Sequence, residues 1–180
     1  AYANGPAPIG AGQTISQPYI VALMSDLLNT TPTDIILEIG AGSGYQAAIL
    51  AILVKQLYSL EIIEDLATKA RCRLKRLGYN NVTVRTGDGY FGWPEKAPFD
   101  GIIVTAAAPY IPQPLIDQLR VGARLVIPVG LPYCHQELMV IEKKADGKTE
   151  TRTILGVSFV PLTGERNTET AHQEALKPQT

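Results

Sequence analysis

The chain has 180 residues, 46% of them apolar, and a formal net charge of −1. That length suits one domain with a sizeable buried core. The balanced charge lacks the basic excess of a nucleic-acid binder, and no apolar run nears the ~20 residues that cross a bilayer.

Cys72 and Cys134 lie too far apart to suggest a disulfide framework or zinc site, and are expected to be inert thiols in a reducing compartment. His135 and His172 are too few for a metal cluster or a histidine-based triad. The opening Ala1-Tyr2-Ala3-Asn4-Gly5-Pro6 has neither the basic start nor the apolar core of a signal peptide.

In chain order, Pro6 to Gly12 reads as a glycine-rich surface loop or substrate-facing flap. Pro18 to Leu28 carries Ile20, Leu23, Met24, Leu27 and Leu28 at helical spacing. Ile35 to Ile39 is a buried strand, followed by a glycine turn and a helix from Ser43 to about Val54. Leu57 to Glu61 is the next strand, and Asp65 to Leu77 an amphipathic helix ended by Gly78. Its Lys69, Arg71, Arg73, Lys75 and Arg76 read as a solvated face. Val82 to Arg85 alternates as a third strand, and Asp100 to Thr105 is an apolar fourth. A short helix over Pro114 to Leu119 precedes a strand from Ala123 to Val129. Strands over Glu137–Glu142 and Thr151–Val160 flank Asp146-Gly147, which favours a hairpin and antiparallel pairing. Thr163 to Thr180 is a polar tail expected to be mobile. The pattern is α/β: a Rossmann-like, seven-stranded, mostly parallel sheet with helices on both faces and an antiparallel carboxy-terminal hairpin.

The chemistry concentrates at strand ends. Ile36-Leu37-Glu38-Ile39-Gly40-Ala41-Gly42-Ser43-Gly44 runs a strand into a Gly-x-Gly-x-Gly turn. Such a turn lets a ligand approach the main chain and aims helix N–H groups at it. A dinucleotide fingerprint would need its last glycine where Tyr45 stands. The spacing, behind an acidic residue, suits a nucleoside bearing an amino acid, S-adenosylmethionine, with Glu38 meeting its ammonium. Glu61, about 20 residues after Gly40, stands where a carboxylate takes ribose hydroxyls. Asp88, in Gly87-Asp88-Gly89-Tyr90, could accept from the adenine amino group. Glu61 alone would also suit a solvated strand end, and Asp88 a turn. All three in order make coincidence a poor explanation.

Further stretches resemble the protein-L-isoaspartate (D-aspartate) O-methyltransferase family of class I S-adenosylmethionine-dependent methyltransferases. These are Pro8-Ile9-Gly10-Ala11-Gly12-Gln13-Thr14-Ile15-Ser16-Gln17-Pro18-Tyr19, then Leu37 to Gln46 and Gly87-Asp88-Gly89-Tyr90 with Gly92-Trp93-Pro94. Pro98-Phe99-Asp100 through Ala106-Ala107, Val126-Ile127-Pro128-Val129-Gly130 and Phe159-Val160-Pro161-Leu162 complete the likeness. The resemblance implies methylation of the α-carboxyl of isoaspartyl residues, damage left when Asn or Asp cyclises. It places the catalytic serine at Ser16, which also suits a helix N-cap before Gln17-Pro18. Cofactor contacts would fall on Ile9, Gly10, Ala11, Gly12, Ser16 and Tyr19, on Glu38, Gly40 and Gly42, and on Glu61, Gly87 and Asp88. Acceptor contacts would fall on Gln13, Thr14, Ile15, Ser16 and Val160.

By the same resemblance the domain is residues 1–162, lacking the helical segment that family members carry ahead of Ala1-Tyr2. Its partners would be isoaspartyl proteins and peptides, with S-adenosyl-L-homocysteine as product, no metal, and no nucleic acid or membrane. A cytoplasmic monomer is expected. Three rivals differ in chemistry: a same-fold methyltransferase for another carboxylate or small molecule, a nicotinamide dehydrogenase, and a non-catalytic module that binds damaged peptides.

Overall fold

A computed structural model describes residue 5, residues 7–132 and residues 134–164. The polar tail beyond residue 164, His172 and the first four residues lie outside the described residues.

A two-stranded antiparallel sheet comes first, β1 (Ala7–Gly10) with β2 (Gln13–Ile15). This hairpin occupies the stretch that the sequence suggested was a loop or flap. Its reversal passes through Gly10, Ala11 and Gly12, all at positive φ. Helix α1 (Pro18–Leu27) follows.

The main sheet contains β3 (Ile35–Ile39), β4 (Gln56–Glu61), β5 (Val82–Thr86), β6 (Phe99–Val104), β7 (Leu119–Val129), β8 (Gln136–Lys143) and β9 (Thr149–Val157). Helices α2 (Tyr45–Leu53), α3 (Glu64–Arg76) and α4 (Gln113–Asp117) complete the order. The strand order is β5-β4-β3-β6-β7-β8-β9. The first five in that order run parallel, whereas β8 is antiparallel to both of its neighbours. The expected seven-stranded sheet and terminal hairpin are therefore present. Among the described residues no helix is long and apolar enough to cross a membrane.

Strand β3 shows why the sheet is central. Ile36, Leu37 and Ile39 are at most 1% exposed, as a strand covered on both faces requires. Leu37 and Ile39 enter one apolar cluster with Phe99 and Ile102, while Ile36 enters the other with Leu50 and Ala67. That division follows the two-residue period of a strand. Helix α3 buries Ala67, Ala70 and Leu74 against this second face.

Not all of its basic residues are merely solvated. The Arg71 Nε–H donates to the Val84 carbonyl at 3.2 Å, and Arg73 donates to the Ser43 carbonyl. Two strands depart most from the expected limits. Strand β7 begins at Leu119, because that residue already pairs with Phe99 before the irregularity that follows. Strand β9 ends at Val157, opposite Gln136, where β8 begins.

Beyond β9 the chain turns back over the sheet's carboxyl edge. The Ala107 N–H donates to the Val160 carbonyl at 2.8 Å, and the Leu162 N–H to the Ala107 carbonyl at 2.7 Å. Gln136, 2% exposed, holds the crossing by accepting from the Phe159 N–H and donating to its carbonyl. These bonds carry Val160 to the top of β6.

Candidate functional site

The strand order reverses between β3 and β6, because β4 lies on one side of β3 and β6 on the other. In open α/β sheets this switch opens a crevice at the carboxyl ends of the strands. A cleft lies there, walled by the loops that follow these strands. The glycine turn after β3 forms one side, Glu61 to Ile63 after β4 another, and Gly87 and Gly89 after β5 a third. The hairpin supplies Ile9 and Gln13 to Ile15, followed by Ser16, while Thr105 and Val160 to Thr163 close the far side.

The glycine turn is built for close approach. Gly40 has φ +96°, and a Cβ there would stand 2.3 Å from the Thr105 hydroxyl oxygen. Gly42 has φ +51°, and its Cβ would meet the end of the Ile9 side chain at 3.2 Å. Gly44 caps α2 in the left-handed region, with Leu74 3.3 Å from the Cβ position.

Glu61 ties two of these walls together. One of its carboxylate oxygens accepts from the Gly42 N–H at 2.8 Å, the other from the Ile63 N–H at 3.0 Å. Each oxygen keeps a lone pair for a ligand hydroxyl, and the residue lines the cleft.

Glu38 is placed differently from the ammonium-facing position that the sequence suggested. It is fully buried, is not among the residues lining the cleft, and accepts a hydrogen bond from Ser59. Its other oxygen has no hydrogen-bond partner among the described residues. Burial pushes its pKa up to about 8; the Ser59 bond opposes this and the Glu61 charge adds to it. A carboxyl left half-satisfied in an apolar interior is stable as the neutral acid.

Asp88 accepts from the Tyr90 N–H at 2.9 Å and so caps a 3-10 turn over Gly89–Phe91. Its neighbours Gly87 and Gly89 line the cleft. Gly10, Ala11 and Gly12 form the exposed hairpin turn, and Tyr19 is 59% exposed on α1; none of these lines the cleft.

Ser16 does not cap α1. The N-cap is Gln17, with no side-chain capping bond, since Pro18 starts the helix. Ser16 instead lines both this cleft and a second, of about 480 Å³, bordered by Gln17, Ile20, His135 and Phe159. Thr14, Ser16, Thr105 and Val160 are common to both clefts. Thr14, Ser16 and Val160 are among the residues that the family likeness put against the acceptor; Thr105 is not. Its signal was present, because it is the polar residue ending an apolar parallel strand, the same cue that marks Glu61.

A family model described as protein-L-isoaspartate (D-aspartate) O-methyltransferase matches residues 1–167. A protein-L-isoaspartate O-methyltransferase 2 of Nitrosococcus oceani is 66% identical over 165 residues, covering 92% of this chain and 75% of its own. A namesake from Syntrophobacter fumaroxidans is 65% identical, covering 91% of this chain and 66% of its own.

A solved protein-L-isoaspartate O-methyltransferase superposes with TM-score 0.84 at 28% identity, over 96% of this chain and 56% of that one. A Plasmodium falciparum protein described as a beta-aspartate methyltransferase, solved with S-adenosyl-L-homocysteine, gives TM-score 0.77 at 29% identity. It covers 90% of this chain and 81% of its own. From the switch-point cleft, the glycine turn and these matches together, the chain belongs to the protein-L-isoaspartate (D-aspartate) O-methyltransferase family.

Proposed function

We propose that this protein methylates the α-carboxyl of L-isoaspartyl residues in damaged proteins and peptides, using S-adenosylmethionine, and so begins their repair. The observation that carries the reading is the meeting of two clefts at Thr14, Ser16, Thr105 and Val160. One cleft has the glycine turn and carboxylate that a nucleoside–amino-acid ligand needs. The other is open and lined by hydroxyl, amide and apolar groups, as a peptide requires.

The residues fit the cofactor. Bare Gly40 leaves main chain accessible where a side chain would collide, and Glu61 keeps acceptor capacity for ribose hydroxyls. Gly87 and Gly89 line the side of the cleft left for adenine, with Asp88 between them. When bound, S-adenosylmethionine supplies an electrophilic methyl on a cationic sulfur. The acceptor carboxylate attacks that carbon, an O–C bond forms as the C–S bond breaks, and the electron pair stays on sulfur. The products are a neutral methyl ester and S-adenosyl-L-homocysteine.

An α-carboxyl with a pKa near ~3.5 is already ionised at neutral pH, so no general base is needed. Positioning carries the rate, and alignment can be worth roughly 7–11 kcal/mol in ideal cases. Ser16 donates to the acceptor carboxylate and orients it. The working domain extends to about residue 162, and the protein acts as a cytoplasmic monomer without nucleic-acid or membrane partners.

Labelled S-adenosylmethionine and a synthetic isoaspartyl peptide test this reading. The expected product is a base-labile methyl ester on the peptide. Labelling of a small molecule but not of the peptide would replace the substrate assignment. Cofactor binding without turnover would point to a binding module.

A further inference from the structure

Thr105 occupies a position that neither the glycine turn nor the acceptor-facing segment explains. It follows β6 directly, and its N–H donates to the Ile39 carbonyl at 2.9 Å. Its hydroxyl reaches the Gly40 carbonyl at 2.7 Å and the Ile39 carbonyl at 3.0 Å. Both acceptors belong to the turn where β3 enters the cofactor cleft. Thr105 also borders the second cleft, so one side chain touches the glycine turn and both ligand spaces.

The hydroxyl has one proton, and two backbone carbonyls claim it. Towards a ligand, Thr105 therefore offers lone pairs only. It can accept from an ammonium or amide, but cannot donate to a carboxylate, a role left to Ser16. The fit is close: a Cβ on Gly40 would approach the same oxygen to 2.3 Å. The hydroxyl thus fixes the Gly40 peptide from the side at which the two clefts join.

We propose that Thr105 is a positioning residue for methyl transfer: its hydroxyl clamps the Gly40 carbonyl and sets the glycine turn in line with the acceptor held at Ser16. The inference rests on the methyltransferase reading above. Its consequence is a rate effect larger than any affinity effect, because displacing aligned reactants by about an ångström can cost on the order of 100-fold.

Three variants of the full chain test it: Thr105→Val, which keeps the branched shape; Thr105→Ser, which keeps the hydroxyl; and Thr105→Ala, which keeps neither. Single-turnover methylation of an isoaspartyl peptide is measured at saturating cofactor, beside calorimetric affinity for S-adenosyl-L-homocysteine and thermal unfolding. The expected result is a rate loss of roughly 10- to 100-fold in the valine and alanine variants. Cofactor affinity should change by less than the rate, and serine should stay within a few-fold of wild type.

Should the valine variant fail to fold, serine against alanine gives the same comparison. A wild-type rate in the valine or alanine variant overturns the inference, as does serine being impaired equally with alanine. Equal losses in rate and affinity would make Thr105 an ordinary cofactor-site residue and also overturn it. Absence of any methyl transfer by the wild-type chain would overturn both this inference and the reading beneath it.

Discussion

At the scale of single residues, three side chains carry distinct expectations. Ser16→Ala should lose one hydrogen bond to a charged group, about 1.5–3 kcal/mol, or roughly 10- to 150-fold in single-turnover rate. Complete loss of turnover, with a modified serine trapped in the wild type, would instead mark a covalent nucleophile. Glu61→Ala should weaken cofactor binding by at least about 10-fold, since each charge-assisted bond is worth roughly 1.5–3 kcal/mol. The same change frees the Gly42 and Ile63 amides and so also loosens the turn; unchanged affinity by calorimetry would contradict the ribose assignment.

Glu38 gives a pH signature. Its folded pKa, about 8, lies above the ordinary value of 4.5. The folded state therefore holds a proton that the unfolded chain releases, and stability should fall as pH rises from about 4.5 to about 8. Thermal melts of Glu38→Gln should lack this part of the decline. Identical pH profiles for the variant and wild type would show that Glu38 is not the proton holder. The sequence made Glu61 and Glu38 look alike, as acids at or near strand ends. Position separates them: Glu61 ends β4 and lines the cleft, whereas Glu38 lies one residue before the end of β3 and faces Ser59 across the parallel register, a distinction that depends on what packs over β3.

At the scale of elements, the glycine turn and α3 behave as one unit. Leu74 fills the space beside Gly44, and Arg73 holds the Ser43 carbonyl. Leu74→Ala should destabilise the fold by about 2–5 kcal/mol, readable in denaturant titration. Gly40→Ala should be worse for function than its size suggests. It combines a left-handed φ of +96° with a collision at Thr105, so cofactor binding should largely disappear in whatever protein folds. Full affinity in that variant would argue against the turn as the ligand's cradle.

Helices and parallel strands were legible because their apolar periods are strong, as in Ile35–Ile39 and in α3. The short hairpin over Ala7–Ile15 was not, since its Gly-Ala-Gly reversal gives no alternation to read. The crossing of Val160 over β6 was equally hidden. It depends on backbone bonds to Ala107 and on the buried Gln136 side chain bonding a residue 23 positions away.

At the scale of the whole molecule, the function rests on a sheet whose order brings distant segments to one edge. The family likeness was legible in the Gly-Gln-Thr-Ile-Ser-Gln-Pro stretch, but not the four-residue junction between clefts, because Thr105 lies 89 positions after Ser16 in sequence. With an acceptor already ionised, wild-type single-turnover rate should be nearly flat from about pH 6 to 8. A steep dependence lost in Ser16→Ala would assign that serine a different role.

The central claim is tested most directly by one comparison: initial rates of labelled methyl transfer to an isoaspartyl peptide and to its aspartyl twin. In the isoaspartyl form the free carboxyl sits on the α-carbon and the main chain runs through the side-chain methylene. A site that reads both should misplace the aspartyl carboxylate by about an ångström or more, a cost on the order of 100-fold. The account predicts rapid methylation of the first peptide and almost none of the second; comparable rates on both would contradict it.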